Sequence, residues 1–474
     1  MNLFGEAVSN EMSSNENIFK RDTYREVQSF LKSEKIFCLL AGPRKVGKTF
    51  LLNQLCLEYN ILYFDFKEDY DKASQAFYNL DLSQDIYIFD EITYLKDYDK
   101  ELINLANRYT ETLANGYEVK AKIIISGSQS VALQYFADLY FASNITIIKM
   151  GFLSYTEFLR WKNIVNSRNS FNDFLQNSWK FHGINSNRAY LRACLHETVK
   201  SCDNSFRQIP ELRFIDDESI LEVTQKLLYM IVFKLHVNAS WQRMVNLDKI
   251  FDNLSGDYRR TTGKKSPEEL KEAFSETLAY KALSATKITF PQLKNALLFL
   301  IKSGLVIFNF DLADDITVVM QWLNNKIELH DINSTLDFFK KYNVIIKYPL
   351  FYLNVINDVL ENGKGLESLK LSEFINTDVL GSIYECYIKG IYANKQDCDY
   401  VRQWEETIDG HTHQIDLVTD DCELIELSVG EKPDSSTHFK FFPDQRYKKL
   451  IVCNGELPKA HYERISYWDF AYDI

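Results

Sequence analysis

Residues 42–49 read Gly-Pro-Arg-Lys-Val-Gly-Lys-Thr, the spacing G-x-x-x-x-G-K-[ST]. They follow an apolar run, Ile36 to Ala41, and precede a segment in which Leu51, Leu52, Leu55, Cys56 and Tyr59 share one helical face. Strand, glycine-rich loop and helix in that order are what a phosphate cradle requires. The glycines let the backbone N–H groups curl round a β-phosphate, and the helix N-terminus adds its dipole. Lys48 would reach the β- and γ-oxygens and Thr49 would ligate Mg2+. The expected nucleotide-binding set is therefore Gly42, Pro43, Arg44, Lys45, Val46, Gly47, Lys48, Thr49 and Phe50. Only 17 glycines occur in 474 residues, so two at this spacing are informative.

Such a loop needs a second carboxylate at the end of a neighbouring strand. Ile86-Tyr87-Ile88-Phe89-Asp90-Glu91 supplies it: Asp90 would support the metal and Glu91 would polarise the attacking water. A further strand, Lys122 to Ser126, runs into Gly127-Ser128-Gln129, where Ser126 and Ser128 could contact a γ-phosphate and report its presence. Asn394-Lys395-Gln396-Asp397 matches a guanine-reading pattern, but it lies far beyond the phosphate loop and follows a helical segment. Adenine is the better expectation, with ATP and Mg2+ as the cofactors.

These residues must be held by elements that the pattern outlines. Between residues 20 and 162, β-branched and aromatic runs (Ile36–Ala41, Ile61–Asp65, Ile86–Asp90, Lys122–Ser126, Ile145–Met150) alternate with helical stretches such as Tyr98, Leu102, Leu105, Ala106, Tyr109 and Leu113. Near-continuous apolar strands imply burial on both faces, hence a parallel sheet between helix layers in an α/β P-loop NTPase domain. Residues 1–19 read as a tail. Residues 163–340 read as helical, with helix starts at Ser266-Pro267 and Thr289-Phe290-Pro291. The second of these stops at Gly304 before a strand at Leu305–Phe310, a winged-helix-like outline. Residues 341–474 return to mixed α and β, with strands at Ile415–Val418, Leu424–Leu427 and Leu450–Cys453.

A chain of this length is expected to hold two or three domains. With 46% hydrophobic and 25% charged residues it is neither disordered nor a membrane bundle. Lys and Arg total 54 against 66 Asp and Glu, a net charge of -12, which excludes a generic nucleic-acid or anionic-membrane binder and confines DNA contact to a local patch. The clearest patch is Arg259, Arg260, Lys264 and Lys265. The eight cysteines stand singly, without zinc spacing, and Cys38 and Cys56 fall in apolar runs as buried thiols. No secretory leader pattern opens the sequence and no apolar stretch is long enough to span a bilayer, so a cytoplasmic location away from membranes is expected.

The segments GPRKVGKTFLLNQL, YIFDEITYL, IIISGSQSVAL and GFLSYTEFL, and more faintly KYPLFYLNVINDVL and GSIYECYI, resemble a prokaryotic family of AAA-type P-loop ATPases fused to a C-terminal domain of unknown function. The resemblance implies a restriction-endonuclease-like PD-(D/E)xK fold at the C-terminus, with Glu385, Asp416 and Glu426 in the metal-binding positions. Ser428 stands where that pattern has its lysine, so the domain is expected to be degenerate and nuclease activity absent. His411 and His413 beside it read as a surface loop pair. The family also carries an arginine before the L-S-F segment, whereas here Ser143-Asn144-Ile145-Thr146 occupies the stretch and no arginine occurs between Arg108 and Arg160. An arginine finger is worth about 10³ to 10⁵ in rate. The expectation is an ATP-binding slow switch rather than a motor, with an arginine supplied in trans by a homo-oligomer, and a DNA or protein partner engaged through the middle and C-terminal domains. The alternatives are an ATP-gated metal-dependent DNA nuclease and a non-catalytic nucleotide-binding scaffold.

Overall fold

A computed structural model describes residues 19–178, 219–232, 288–362 and 377–473, apart from 45, 84, 128–129, 142–143, 325, 330–331, 333–337, 340, 397, 429–434 and 454–462. The chain divides into two compact units, one formed by residues up to 165 and the other beginning at Asn166, with 42–45 and 128–135 counted to the second.

The first unit is built on five strands: β1 (Phe37–Ala41), β2 (Leu62–Asp65), β3 (Ile86–Asp90), β4 (Lys122–Ser126) and β5 (Ile145–Lys149). All neighbours are parallel, in the order β2-β3-β4-β1-β5. The expected limits of β3 and β4 coincide with the observed ones, and β1, β2 and β5 differ by one residue. Every residue of β1 is buried, and β3 and β4 are buried after their first residue. The edge strands β2 and β5 are mostly half-exposed, because each has a neighbour on one side only.

Five helices accompany this sheet: α1 (Asp22–Lys32), α2 (Lys48–Glu58), α3 (Tyr70–Tyr78), α4 (Tyr98–Ala114) and α6 (Tyr155–Lys162); α5 (Ser130–Tyr140) begins within the stretch counted to the second unit and ends in the first. In α4, Tyr98, Leu102, Leu105, Ala106 and Tyr109 are buried as the periodicity requires, and Tyr109 meets Phe37 of β1 edge-on at 5.3 Å. Leu113 is the exception, exposed in the last turn of the helix. Cys38 is buried, while Cys56 on α2 is only half-buried.

The second unit holds a mixed sheet of seven strands in the order β12-β11-β10-β9-β8-β6-β7. The strands are β6 (Val306–Asp311), β7 (Asn343–Ile346), β8 (Tyr400–Ile408), β9 (His411–Val418), β10 (Glu423–Ser428), β11 (Lys448–Cys453) and β12 (Glu463–Ser466). Helices α7 (Arg168–Asn177), α8 (Ser219–Val232), α9 (Phe290–Lys302), α10 (Ile316–Leu323), α11 (Pro349–Asn362), α12 (Thr377–Lys395) and α13 (Tyr467–Asp473) accompany it. Helix α9 starts as its sequence specifies: Thr289 caps, Gln292 returns the bond to the Thr289 N–H, and Pro291 sits in the first turn.

The strand after α9 belongs to a larger sheet: β6 pairs antiparallel with β7 and parallel with β8, in one sheet with β9 to β12. Its buried Asn309 donates from Nδ2 to Gln403 Oε1 of β8 at 2.6 Å, a polar pair that fixes the register of an otherwise apolar strand. A local helix-turn-strand pattern leaves the strand's pairing open, and only the distant partner decides it.

Candidate functional site

Gly47 caps α2 with φ +99°, a left-handed conformation open to glycine and strained for other residues, and Lys48 is the first helical residue. The loop thereby turns into a helix N-terminus whose N–H groups are unsatisfied by the helix itself. Lys48 is buried and Thr49 exposed. Lys45 lies outside the described residues.

The second half of the expected pair is in place. Thr49 Oγ1 donates to Asp90 Oδ2 at 2.7 Å, bringing the loop and the end of β3 together. Asp90 is almost completely buried, and its Oδ1 accepts the Glu91 backbone N–H at 3.0 Å. Glu91 itself takes φ +50°, turning the chain sharply after β3. Thr49 and Asp90 are the residues that would hold Mg2+, and the bond between them leaves the Thr49 oxygen lone pairs for a cation, so the donor set fits.

Two neighbours of this pair escaped the sequence reading. Tyr63 on β2 donates to Asp90 Oδ2 at 3.1 Å. Asp65 stands opposite Asp90 in the β2–β3 register. Burial raises the Asp65 carboxyl above its ordinary range; the Lys67 and Glu68 N–H groups oppose this, and the Asp90 and Glu91 charges add to it. The signal was the parallel pairing itself, which sets the end of β2 beside the end of β3.

Ser126 ends β4, which lies between β1 and β3. It is fully buried and its Oγ has no hydrogen-bond partner among the described residues. Ser128 and Gln129 lie outside the described residues. The arginines that bracket the arginine-free stretch are engaged elsewhere. Arg108 donates to the carbonyls of Phe77, Tyr78 and Leu80, and Arg160 pairs with Asp22 at 2.7 Å.

Arg21 is the residue with the widest reach among those that sequence reasoning missed. Its Nε donates to Glu157 Oε1 at 2.7 Å, Nη1 to the Val46 carbonyl at 2.9 Å, and Nη2 to the Gly151 carbonyl at 3.0 Å. One buried guanidinium thus ties the phosphate loop to the turn before α6. Glu157 also accepts the Asp22 and Ser154 N–H groups, the latter as half of a capping box with Ser154. Burial alone would push the Glu157 carboxyl up. The Arg21 charge and these hydrogen bonds outweigh it and hold the carboxyl below the ordinary range. The Ser154-x-x-Glu157 spacing was readable as a capping box; its partner 136 residues upstream was not.

In the second unit, Glu385 lies on α12, Asp416 on β9 and Glu426 on β10. They are close enough that Asp416 and Glu385 both act on Glu426, whose carboxyl is pushed up to about 9, first by burial and then by these charges, with Lys389 opposing. Lys389, one turn beyond Glu385, is fully buried and donates to Glu385 Oε1 at 2.9 Å. Asp416 Oδ2 accepts the Leu427 N–H at 2.8 Å. Among the described residues no group of three or more His, Cys, Asp or Glu is placed to hold a metal ion. Lys389 is the cation that acts on these carboxylates, through its bond to Glu385 and its charge on Glu426.

His411 and His413 correct another expectation: they lie on strand β9, His411 exposed and His413 half-buried and stacked on Phe441 at 3.8 Å. Arg259, Arg260, Lys264, Lys265 and the helix start at Ser266 fall outside the described residues. Among the described residues no helix is long and apolar enough to cross a membrane.

Residues 34–159, from the approach to β1 into α6, match the model of a family described as an AAA domain. Together with the parallel five-stranded sheet, the match makes this unit an AAA-type P-loop domain. Solved structures similar to the chain include a Walker-type ATPase of Pyrococcus abyssi, 16% identical over 72% of this chain and 97% of that one, with a TM-score of 0.30. A DNA replication initiation factor is 14% identical over 59% of this chain and 85% of its own, with a TM-score of 0.26. The replication initiator DnaA bound to AMPPCP and single-stranded DNA is 14% identical over 56% and 88%, also at 0.26. Scores this low add nothing to the fold assignment. No curated protein matches the chain.

Proposed function

We propose that this chain binds and slowly hydrolyses ATP, and that its nucleotide state acts as a switch on the attached C-terminal unit. The observation that carries the reading is the 2.7 Å bond from Thr49 to Asp90, which joins a phosphate loop to a metal-supporting carboxylate. Lys48 holds the β- and γ-phosphates, Thr49 and Asp90 hold Mg2+, and Glu91 orients and polarises water. Mg2+ neutralises charge on the phosphates. The Ser126 hydroxyl, without a partner among the described residues and buried on the strand between β1 and β3, supports its assignment to a γ-phosphate contact.

The engagement of Arg108 and Arg160 away from the phosphate loop supports slow turnover, with an arginine from a second copy as the accelerating group. Glu91→Gln should bind ATP and fail to release phosphate, so that unhydrolysed ATP stays with the protein on gel filtration. Wild-type turnover per molecule should rise with protein concentration. Turnover in Glu91→Gln equal to wild type would sink this assignment.

For the C-terminal unit, the Lys389–Glu385 pair and the raised carboxyl of Glu426 favour a packing or partner-binding role over metal-dependent cleavage. Wild-type protein should leave DNA uncut in Mg2+ and in Mn2+. Cleavage that disappears in Asp416→Ala would restore the nuclease reading. DNA contact through Arg259, Arg260, Lys264 and Lys265 is tested in the same samples by measuring binding with these four residues changed to alanine.

A further inference from the structure

Three hydrogen bonds converge on the Asp90 carboxylate, and one donor belongs to no phosphate-binding motif. Glu91 N–H serves Oδ1, while Oδ2 is shared by the hydroxyls of Thr49 and Tyr63. We propose that Tyr63 is a positioning residue for the Mg2+–nucleotide complex, its hydroxyl holding the Asp90 carboxylate in the orientation at which Thr49 meets it. The inference rests on the ATP-binding reading above.

A nearly buried carboxylate is costly unless its oxygens find donors, and each donor also fixes its rotation. The Thr49 hydroxyl has one proton. Given to a fixed acceptor, that proton points away from the metal position and the oxygen lone pairs remain for Mg2+. If Asp90 could turn, Thr49 would lose its fixed acceptor and the hydroxyl would sample orientations that present its proton to the cation. Tyr63 prevents this from a rigid base. Its backbone is locked to β3 by the parallel register Tyr63↔Ile88, two residues before the Asp65↔Asp90 pair. A phenol hydroxyl carries its proton at neutral pH, so it serves as a donor to the carboxylate. With its hydroxyl committed to the carboxylate, Tyr63 acts on metal placement rather than on the phosphates.

The test uses the full chain and a fluorescent ATP analogue, titrated in EDTA and across a Mg2+ series. Tyr63→Phe keeps the ring and removes the hydroxyl. It should bind the analogue like wild type in EDTA and need about tenfold more Mg2+ for half-maximal tightening, the loss expected for one hydrogen bond to a charged acceptor. In an Asp90→Asn background the same change should have no further effect, a double-mutant cycle that separates action through Asp90 from a general loss of packing. An unchanged Mg2+ requirement in Tyr63→Phe, or equal weakening in EDTA, overturns the proposal. Wild-type protein that does not bind the analogue at all would instead remove the ATP reading beneath it.

Discussion

Arg21 shows how much one side chain can decide. It is buried, bonded to the phosphate loop, to the turn before α6 and to Glu157, and both members of that ion pair are almost without solvent. Arg21→Gln leaves Glu157 buried without a countercharge and should cost about 3–5 kcal/mol. Urea denaturation at neutral pH measures it, and nucleotide affinity should fall with it because the Val46 carbonyl loses its anchor. The same pair sets an acid sensitivity. The folded-state carboxyl of Glu157 titrates below its unfolded value, so the unfolded chain binds the proton first. Its stabilisation is complete above the ordinary carboxylate range, about pH 4, and is lost as pH falls through the folded value. Denaturation midpoints at pH 7 and below pH 4 should diverge less in Arg21→Gln than in wild type. None of this was legible in the sequence, whereas Lys48, Thr49, Asp90 and Glu91 were. Motif residues act through spacing along the chain; Arg21 and Tyr63 act through contacts that only the folded sheet creates.

At the scale of elements, legibility followed burial. Ile86–Asp90 and Lys122–Ser126 were read to the residue because central parallel strands must be apolar throughout. β8 was not foreseen: Arg402, Gln403, Glu405, Glu406 and Thr407 give it a polar pattern, and its partner β6 lies far upstream. Helix α12 illustrates a constraint hidden in plain sequence. A Cβ on Gly390 would come within 2.3 Å of the Lys347 carbonyl oxygen, backbone that cannot step aside, so the helix passes the residue after β7 closer than any side chain permits. Gly390→Ala should destabilise by about 2–3 kcal/mol despite alanine's higher helix propensity. A melting temperature equal to wild type would show that the helix can shift outward without loss.

For the whole molecule, the acidic charge and the length became a division of labour. One unit carries a five-stranded parallel sheet; the other carries a seven-stranded mixed sheet beside which Lys389 is fully buried. The parallel pairing of β6 with β8 also has a meaning in time. Strand β6 ends at Asp311 and its neighbour begins at Tyr400, so one edge of the apolar run Val-Ile-Phe-Asn-Phe has no partner until the intervening chain has been made. At roughly 5–20 residues per second, synthesis leaves that edge open for several seconds or more, long enough to pair with a neighbouring nascent chain. Strand β1 of the first unit meets the same delay, since it ends at Ala41 and its partners begin at Lys122 and Ile145, so each sheet has a strand that a chaperone would need to cover during synthesis.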